Sequence, residues 1–493
     1  MGLIKRLFRD KPGQEVPNKE MLSFAVGVAG QNHMYNIVAN WFLYFCTDVL
    51  FMDAMIIGIV LGVARVWDAI NDPLVGVIID HSKISKYGKL RPHILWSAIP
   101  IGICAALMFM DFGLTQTQEI IYIVVLYFVW DTMYSFQDIA QWGLTAMIAT
   151  NFEERSKAAQ FGRIGAMVGG WLPGLLPIIL SNKDLLGATE KQIFMACAIV
   201  MCFGGMVLSM FAARVKERAP AVKTEGSPLA SLKSLLRNRI VMLLVLANIL
   251  SYCTLTVQQV YFFKYMVSID LFGRTFDGME VMFVFGIFVG LPGTLAMLIT
   301  GRFSKWVGGM KNVLLIATVA NIVCRIAAFF VGYEGIRIVY TGILLAICGI
   351  PNGMVGIAST AIWGDSIDYE EWRTGVRNEG AVFSMQNLVG KMGSGLSIFF
   401  TGLTLKLLDF DATKFDLGLP QSETFNKFIF PVYMLAPAFG SLLYLIPLLF
   451  MKYDVNAKHK LEALLRERRK GIKIAEATHS VGADPELIDT SIF

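Results

Sequence analysis

The feature that most constrains this chain is a series of apolar runs, each about the length of one membrane crossing. A hydrocarbon core of about 30 Å takes about 20 residues of helix. Such runs occupy residues 21–47, 54–80, 93–111, 118–149, 157–180 and 191–213, then 238–267, 278–301, 311–332, 336–363, 378–408 and 425–451. In hydrocarbon every backbone N–H and C=O needs a partner within the protein, so the runs predict helices. Several exceed the minimum length, which predicts tilt or extension past the bilayer. Composition agrees: 55% of the residues are hydrophobic, 16% are charged and mean hydropathy is +0.58. A soluble fold of 493 residues cannot hide that much apolar side chain. A soluble enzyme, a disordered chain and a nucleic-acid binder are thereby excluded. The expected fold is an all-α membrane protein with twelve transmembrane helices.

Between the sixth and seventh runs lies a basic stretch containing Pro220, Gly226 and Pro228. It predicts a linker at 215–237. The expected organisation is an N-terminal segment 1–20, a six-helix bundle 21–214, the linker, a second six-helix bundle 238–452 and a tail 453–493. Basic residues set the direction. With the N-terminus inside, 32 of the 43 Lys and Arg fall on the inner side and 7 on the outer side. Arg65, Lys264, Arg325 and Lys391 stay within spans. The positive-inside rule then predicts a multi-pass protein of the plasma (inner) membrane with both termini cytoplasmic. Lys264, near the outer end of its run, is expected to snorkel to the interface. The tail sequence LEALLRERRK is expected to be solvated or to lie on the membrane surface. The first residues hold no long apolar core or cleavage site, so no signal peptide is expected. The seven Cys all lie in apolar runs without metal or disulfide spacing and are expected to act as small hydrophobes.

Carboxylates at membrane depth are the most informative residues, because each costs at least about 2.5–3.5 kcal/mol to insert. Asp68 and Asp72 lie four apart in the second run and share one helix face. Both cannot stay ionised and uncompensated in a low dielectric; one takes a proton, or a cation sits between them. Pro73 frees a backbone carbonyl one turn earlier as a further oxygen ligand. Arg65 offers another way to compensate the charge. In the fourth run Asp131 and Asp138 fall nearly on one stripe, and Ser135 is one turn from Asp138. Asp68, Asn71, Asp72, Ser135 and Asp138 form an all-oxygen set suited to Na⁺ or to protons. No other metal site is expected. The rival reading is a buried Asp–Arg network that carries no cation.

Amides mark a second set. Gln31 and Asn32 in the first run, and Gln386 and Asn387 in the eleventh, each offer donor and acceptor to a hydroxylated ligand. Interhelical hydrogen bonding is the alternative use. Trp142 suits the apolar face of a sugar ring. Arg163 and Lys391 supply cations, and Arg163 alternatively snorkels.

Val66–Trp67–Asp68–Ala69–Ile70–Asn71–Asp72–Pro73, followed by Lys89–Leu90–Arg91–Pro92, resembles the signature of the glycoside–pentoside–hexuronide:cation symporters. This melibiose-permease-like family lies within the major facilitator superfamily. Gly364–Asp365–Ser366–Ile367–Asp368–Tyr369, Arg377 and Glu379, then Ser384–Met385–Gln386–Asn387 and Lys391, are similar to its second-half motif. The resemblance implies two pseudo-symmetric six-helix bundles, the major facilitator fold. It implies cation-site roles for Asp68 and Asp72 with Asn71 and Ser135, and a position shared by cation and sugar for Asp138. It implies sugar contacts for Trp142, Arg163, Gln386 and Lys391. It implies a charged cytoplasmic gate of Arg155, Asp365, Asp368, Glu371 and Arg377. The chain departs from melibiose-carrying members, which have a Lys–Asp pair where Gln31–Asn32 stand, a Thr at Asn387 and an aromatic at Gly356.

The expected activity is uptake of a glycoside coupled to Na⁺ or H⁺ by alternating access. A pentoside, glucoside or glucuronide is favoured over an α-galactoside. Rivals are a carrier of a non-sugar cargo such as a lipid or drug, and a transporter-like sensor. No HExxH, CxxC or nucleotide-binding loop suggests an enzyme. Expected partners are a small glycoside and the lipid bilayer, with no nucleic acid, no cofactor beyond the coupling ion, and function as a monomer.

Overall fold

Apolar sequence of this length satisfies its backbone by coiling. Every predicted run falls on helix in the computed structural model, which describes residues 14–149, 152–218, 234–271, 273–375, 379–417, 419–453, 457–461, 463–465 and 467. The principal helices are α1 Asn18–Tyr44, α2 Ala54–His81, α3 Arg91–Met108, α4 Gln116–Met147, α5 Phe152–Trp171 and α6 Glu190–Cys197. They continue as α7 Arg239–Tyr252, α8 Gln259–Met266, α9 Gly278–Val307, α10 Met310–Val331, α11 Arg337–Thr374, α12 Glu379–Leu407 and α13 Glu423–Leu449. Helical turns prolong α5 through Leu176–Ser181 and α6 through Met210–Arg214. Among the described residues, nine helical stretches are long and apolar enough to cross a membrane. A two-stranded hairpin, β1 Ser268–Leu271 and β2 Arg274–Asp277, joins α8 to α9.

Local chemistry fixes several ends. The Asp53 carboxylate accepts from the Ile56 N–H at 2.9 Å and starts α2. Thr115 and Gln118 form a capping box at the start of α4. Asn238 Oδ1 accepts from Ile240 and Val241 N–H and starts α7. The run 238–267 is not one helix, contrary to expectation. It breaks at 253–258, where Thr254, Thr256 and Val257 are β-branched and of low helix propensity.

The chain divides into two units. The first comprises Met1–Thr224, Val257–Phe283 and Ile398–Lys427; the second comprises Glu225–Thr256, Val284–Ser397 and Phe428–Phe493. In the first unit Phe24, Val28, Val75, Ile94, Ala140 and Leu144 belong to one buried core. Helices α1 and α5 touch backbone to backbone there. A Cβ on Gly165 would sit 2.1 Å from the Ala25 carbonyl oxygen, and one on Gly169 2.1 Å from that of Ala29. Only glycine permits this approach, which serves helices that pack without a hydrophobic drive between them.

At the end of the first unit away from the chain's N-terminus sits a buried ionic cluster. Lys264 on α8 donates to Asp48 Oδ1 at 3.0 Å and to the Tyr44 hydroxyl at 2.6 Å. Glu190 lies 3.5 Å from the same ammonium and accepts from Tyr44 at 3.0 Å. The Tyr265 hydroxyl also donates to Asp48. The Lys264 side chain is 7% exposed and that of Asp48 0%. Lys264 therefore does not snorkel: two carboxylates and a phenol within reach hold its ammonium inside.

In the second unit Leu244, Leu314, Ala358, Trp363 and Val382 share a core with Ala457, Leu461 and Leu465 of the tail. Those three positions recur every four residues, so the described tail turns lay one apolar stripe on the bundle. This corrects the expectation of a solvated tail, and Lys458 adds an ion pair to Asp365 at 2.7 Å. Breaking a buried pair from one side costs about 3–5 kcal/mol. Lys264→Met is accordingly expected to lower the thermal unfolding midpoint in detergent, and adding Asp48→Asn to recover most of the loss. A Lys264→Met protein that melts with the wild type would rule the pair out as a structural link.

Candidate functional site

Helix α2 presents Arg65, Asp68, Asn71 and Asp72 at three- and four-residue spacing, so they fall along one side of it. Arg65 Nη1 meets Asp68 Oδ2 at 3.2 Å, and both side chains are buried. The guanidinium also lies 5.8 Å from the centre of the Tyr35 ring, and Tyr35 stacks on Tyr134 of α4 at 5.2 Å. Two side-chain hydrogen bonds join α2 to α4. Trp67 Nε1 donates to Thr132 Oγ1 at 3.2 Å, and Asn71 Nδ2 donates to Ser135 Oγ at 3.0 Å. Ser135 in turn donates to the Asp131 carbonyl at 3.2 Å. One turn along α4, half-buried Asp138 accepts from Gln31 Nε2 of α1 at 3.1 Å. Gln31 is wholly buried and its Oε1 accepts no hydrogen bond among the described residues. The bond to the acid fixes which way this amide points.

The predicted oxygen set is thus partly assembled. Asn71 and Ser135 meet, with Asp72 half-buried beside Asn71 and Asp138 one turn from Ser135. The three aspartates do not converge: among the described residues no group of three His, Cys, Asp or Glu could hold a metal ion. Asp68 faces Arg65 instead, so a guanidinium already neutralises that carboxylate.

Around this set, Asn32 donates back to the Val28 carbonyl at 3.1 Å, Asn36 to that of Asn32 and Asn40 to that of Asn36. The three amides line one face of α1. Trp142 is half-buried against Gly162, and Arg163 is exposed. In the second unit α12 carries half-buried Gln386 and Lys391 and exposed Asn387. Of the predicted gate, Arg155 Nε donates to the Ala149 carbonyl at 2.9 Å in the first unit. Asp365 pairs with Lys458, while Asp368 and Glu371 are half-buried on α11. Arg377 lies outside the described residues.

Sequence reasoning passed over Tyr35, Thr132, Tyr134, Gln137 and Gln141. Gln137 is buried and donates to Ser209 Oγ at 2.7 Å. Gln141 is buried, and its amide makes no hydrogen bond among the described residues. Tyr134 lies four residues before Asp138 and Gln141 three after it, a usable signal that both share its helix face. Replacing Arg65 would leave Asp68 buried without its cation. Arg65→Met is expected to reduce the monodisperse fraction seen on size-exclusion of detergent-solubilised protein, and Arg65→Met with Asp68→Asn to restore it. Equal profiles for the single variant and the wild type would show that the pair is dispensable.

The chain is 28% identical over 475 residues to an isoprimeverose transporter of Lactiplantibacillus pentosus, covering 92% of this chain and 95% of that one. It is 28% identical over 403 residues to a protein described as a 2,3-dihydroxypropane-1-sulfonate exporter of Salmonella typhimurium, covering 79% and 84%. A crystal structure of a D-xylose–proton symporter superposes with a TM-score of 0.57 over 86% of this chain and 96% of that one. At 12% identity that likeness speaks for the fold alone. The family model described as MFS/sugar transport protein matches residues 23–455. The chain is a multi-pass transporter of the major facilitator superfamily and belongs to the MFS/sugar transport protein family.

Proposed function

We propose that this transporter imports a glycoside together with Na⁺ or H⁺ by alternating access. The observation that carries the reading is the pairing of Gln31 with Asp138 one helical turn from the Asn71–Ser135 bond. A cation held by Asp72, Asn71 and Ser135, with Asp68 and Asp138 bounding the site, neutralises charge beside Asp138. Asp138 and Gln31, with Asn32, Trp142 and Arg163, then receive the sugar hydroxyls. Gln386, Asn387 and Lys391 are the substrate groups of the second unit. Each ligand strengthens the other's binding, because Asp138 serves both. Asp365, Asp368, Glu371, Arg377 and Arg155 form the cytoplasmic gate. The protein works as a monomer in the plasma membrane with both termini inside.

A pentoside, glucoside or glucuronide is favoured over an α-galactoside, since Gln31–Asn32 replace a Lys–Asp pair. Removing that acid eases the approach of an anionic uronide. The relative named for isoprimeverose supports a sugar cargo. A second reading, carriage of a small sulfonate, is favoured by the relative named for 2,3-dihydroxypropane-1-sulfonate. Apolar cargo is disfavoured by the amides at membrane depth.

Uptake into proteoliposomes of labelled xyloside, glucoside, galactoside, glucuronide and sulfonate, with imposed Na⁺ or proton gradients, tests the reading. Asp72→Cys is expected to abolish concentrative uptake and to retain exchange at equal ion concentrations. Undiminished gradient-driven accumulation by Asp72→Cys would remove Asp72 from the cation site. Uptake of galactosides alone would overturn the substrate argument.

A further inference from the structure

Arg325 is a charge at membrane depth to which neither the cation set nor the sugar set gives a role. It lies in α10, six residues before that helix ends, or about 9 Å at 1.5 Å per residue. Among the described residues it makes no ion pair. Its Nε donates to Asn321 Oδ1 at 3.2 Å. A guanidinium carries donors and no acceptor. Asn321 must therefore turn its oxygen to Arg325 and its amide nitrogen away. That nitrogen donates to Asn352 Oδ1 on α11. The Asn352 oxygen is thereby used, and its own NH₂ forms the outward end of the chain. Arg325, Asn321 and Asn352 form a relay in which every link points its N–H away from the cation.

The direction of the free end follows from the helix. Tyr340, Ile343 and Ile347 of α11 are 56%, 53% and 49% exposed and form an apolar stripe of the kind lipid covers. Asn352 stands nine residues after Ile343, about 180° round the axis at 100° per residue. It is nevertheless exposed, as is Gly356 one turn further on the same face. An exposed amide opposite the lipid stripe faces water rather than hydrocarbon, because hydrocarbon would leave its N–H groups unpaired. Gly356 has no side chain to cover it.

We propose that Asn352 contacts the transported substrate and that Arg325 and Asn321 are positioning residues that hold its N–H groups outward. Such an end selects a substrate group rich in acceptors, and above all an anionic one such as a uronate or sulfonate. Hydrogen bonds to an ionised acceptor are roughly twice as strong as neutral ones, and the cation behind the relay adds to the attraction. The proposal rests on the glycoside-carrier reading and assigns it a selecting element in the second unit.

The test measures initial uptake rates in proteoliposomes for 4-nitrophenyl β-D-glucuronide and the neutral 4-nitrophenyl β-D-glucoside. Wild type, Asn352→Ala, Arg325→Gln and Arg325→Lys are compared. The glucuronide KM is expected to rise about 10- to 100-fold in Asn352→Ala and Arg325→Gln, the range for losing a hydrogen bond to a charged group. The glucoside KM is expected to rise less, by about 2- to 10-fold, the range for losing a neutral hydrogen bond, and Arg325→Lys to recover most of the glucuronide affinity. Parallel loss for both glycosides, no change for either, or a wild type that carries glucoside but not glucuronide overturns the selecting role. A wild type that takes up a labelled xyloside but neither of these glycosides also overturns the selecting role, and one that takes up none of the three overturns instead the carrier reading on which the proposal rests.

Discussion

The cost of a polar group in hydrocarbon governs this structure. A backbone amide there must find its partner within the protein, and a charge must find a counter-charge or a task. The first requirement makes the chain helical from α1 to α13. The second explains why so few side chains decide so much. Arg65 with Asp68, and Lys264 with Asp48 and Glu190, are charges brought out of water only where an opposite charge waits within about hydrogen-bonding distance.

The same constraint gives direction to neutral amides. An amide has one oxygen and one nitrogen, so committing either end fixes where the other points. Gln31 gives its nitrogen to Asp138. Asn321 gives its oxygen to Arg325 and its nitrogen to Asn352. A short polar side chain at membrane depth thus becomes an oriented donor or acceptor, which is what recognition of a hydroxylated ligand needs. The structural helices make room for this by packing at glycine, as α1 and α5 do at Gly165 and Gly169.

Much of this was legible in the sequence. Hydrophobic length placed helix along each apolar run, because the bilayer sets one length scale for all of them. The motif around Asp68 and Asp72 singled out α2, and one-turn spacing singled out Ser135 and Asp138. The break at 253–258 was not legible, since an apolar run looks the same whether it forms one helix or two. Lys264 read as an interfacial lysine because its partners, Asp48 and Glu190, are 216 and 74 positions away along the chain. The tail read as solvated because its apolar stripe, Ala457, Leu461 and Leu465, is too short to stand out among charges.

By itself the sequence determined that the chain spans a membrane, which runs are helical and which few charges oppose the composition. Those properties depend on transfer energies of single residues and on spacing within one helix, both of which are local. Only tertiary structure decided which charge answers which. It set Arg65 on Asp68, Gln31 on Asp138 and Asn71 on Ser135, and it joined Arg325 to Asn352 through Asn321. Except for the first, those pairings join different helices, and linear spacing carries no information about which faces of two helices meet.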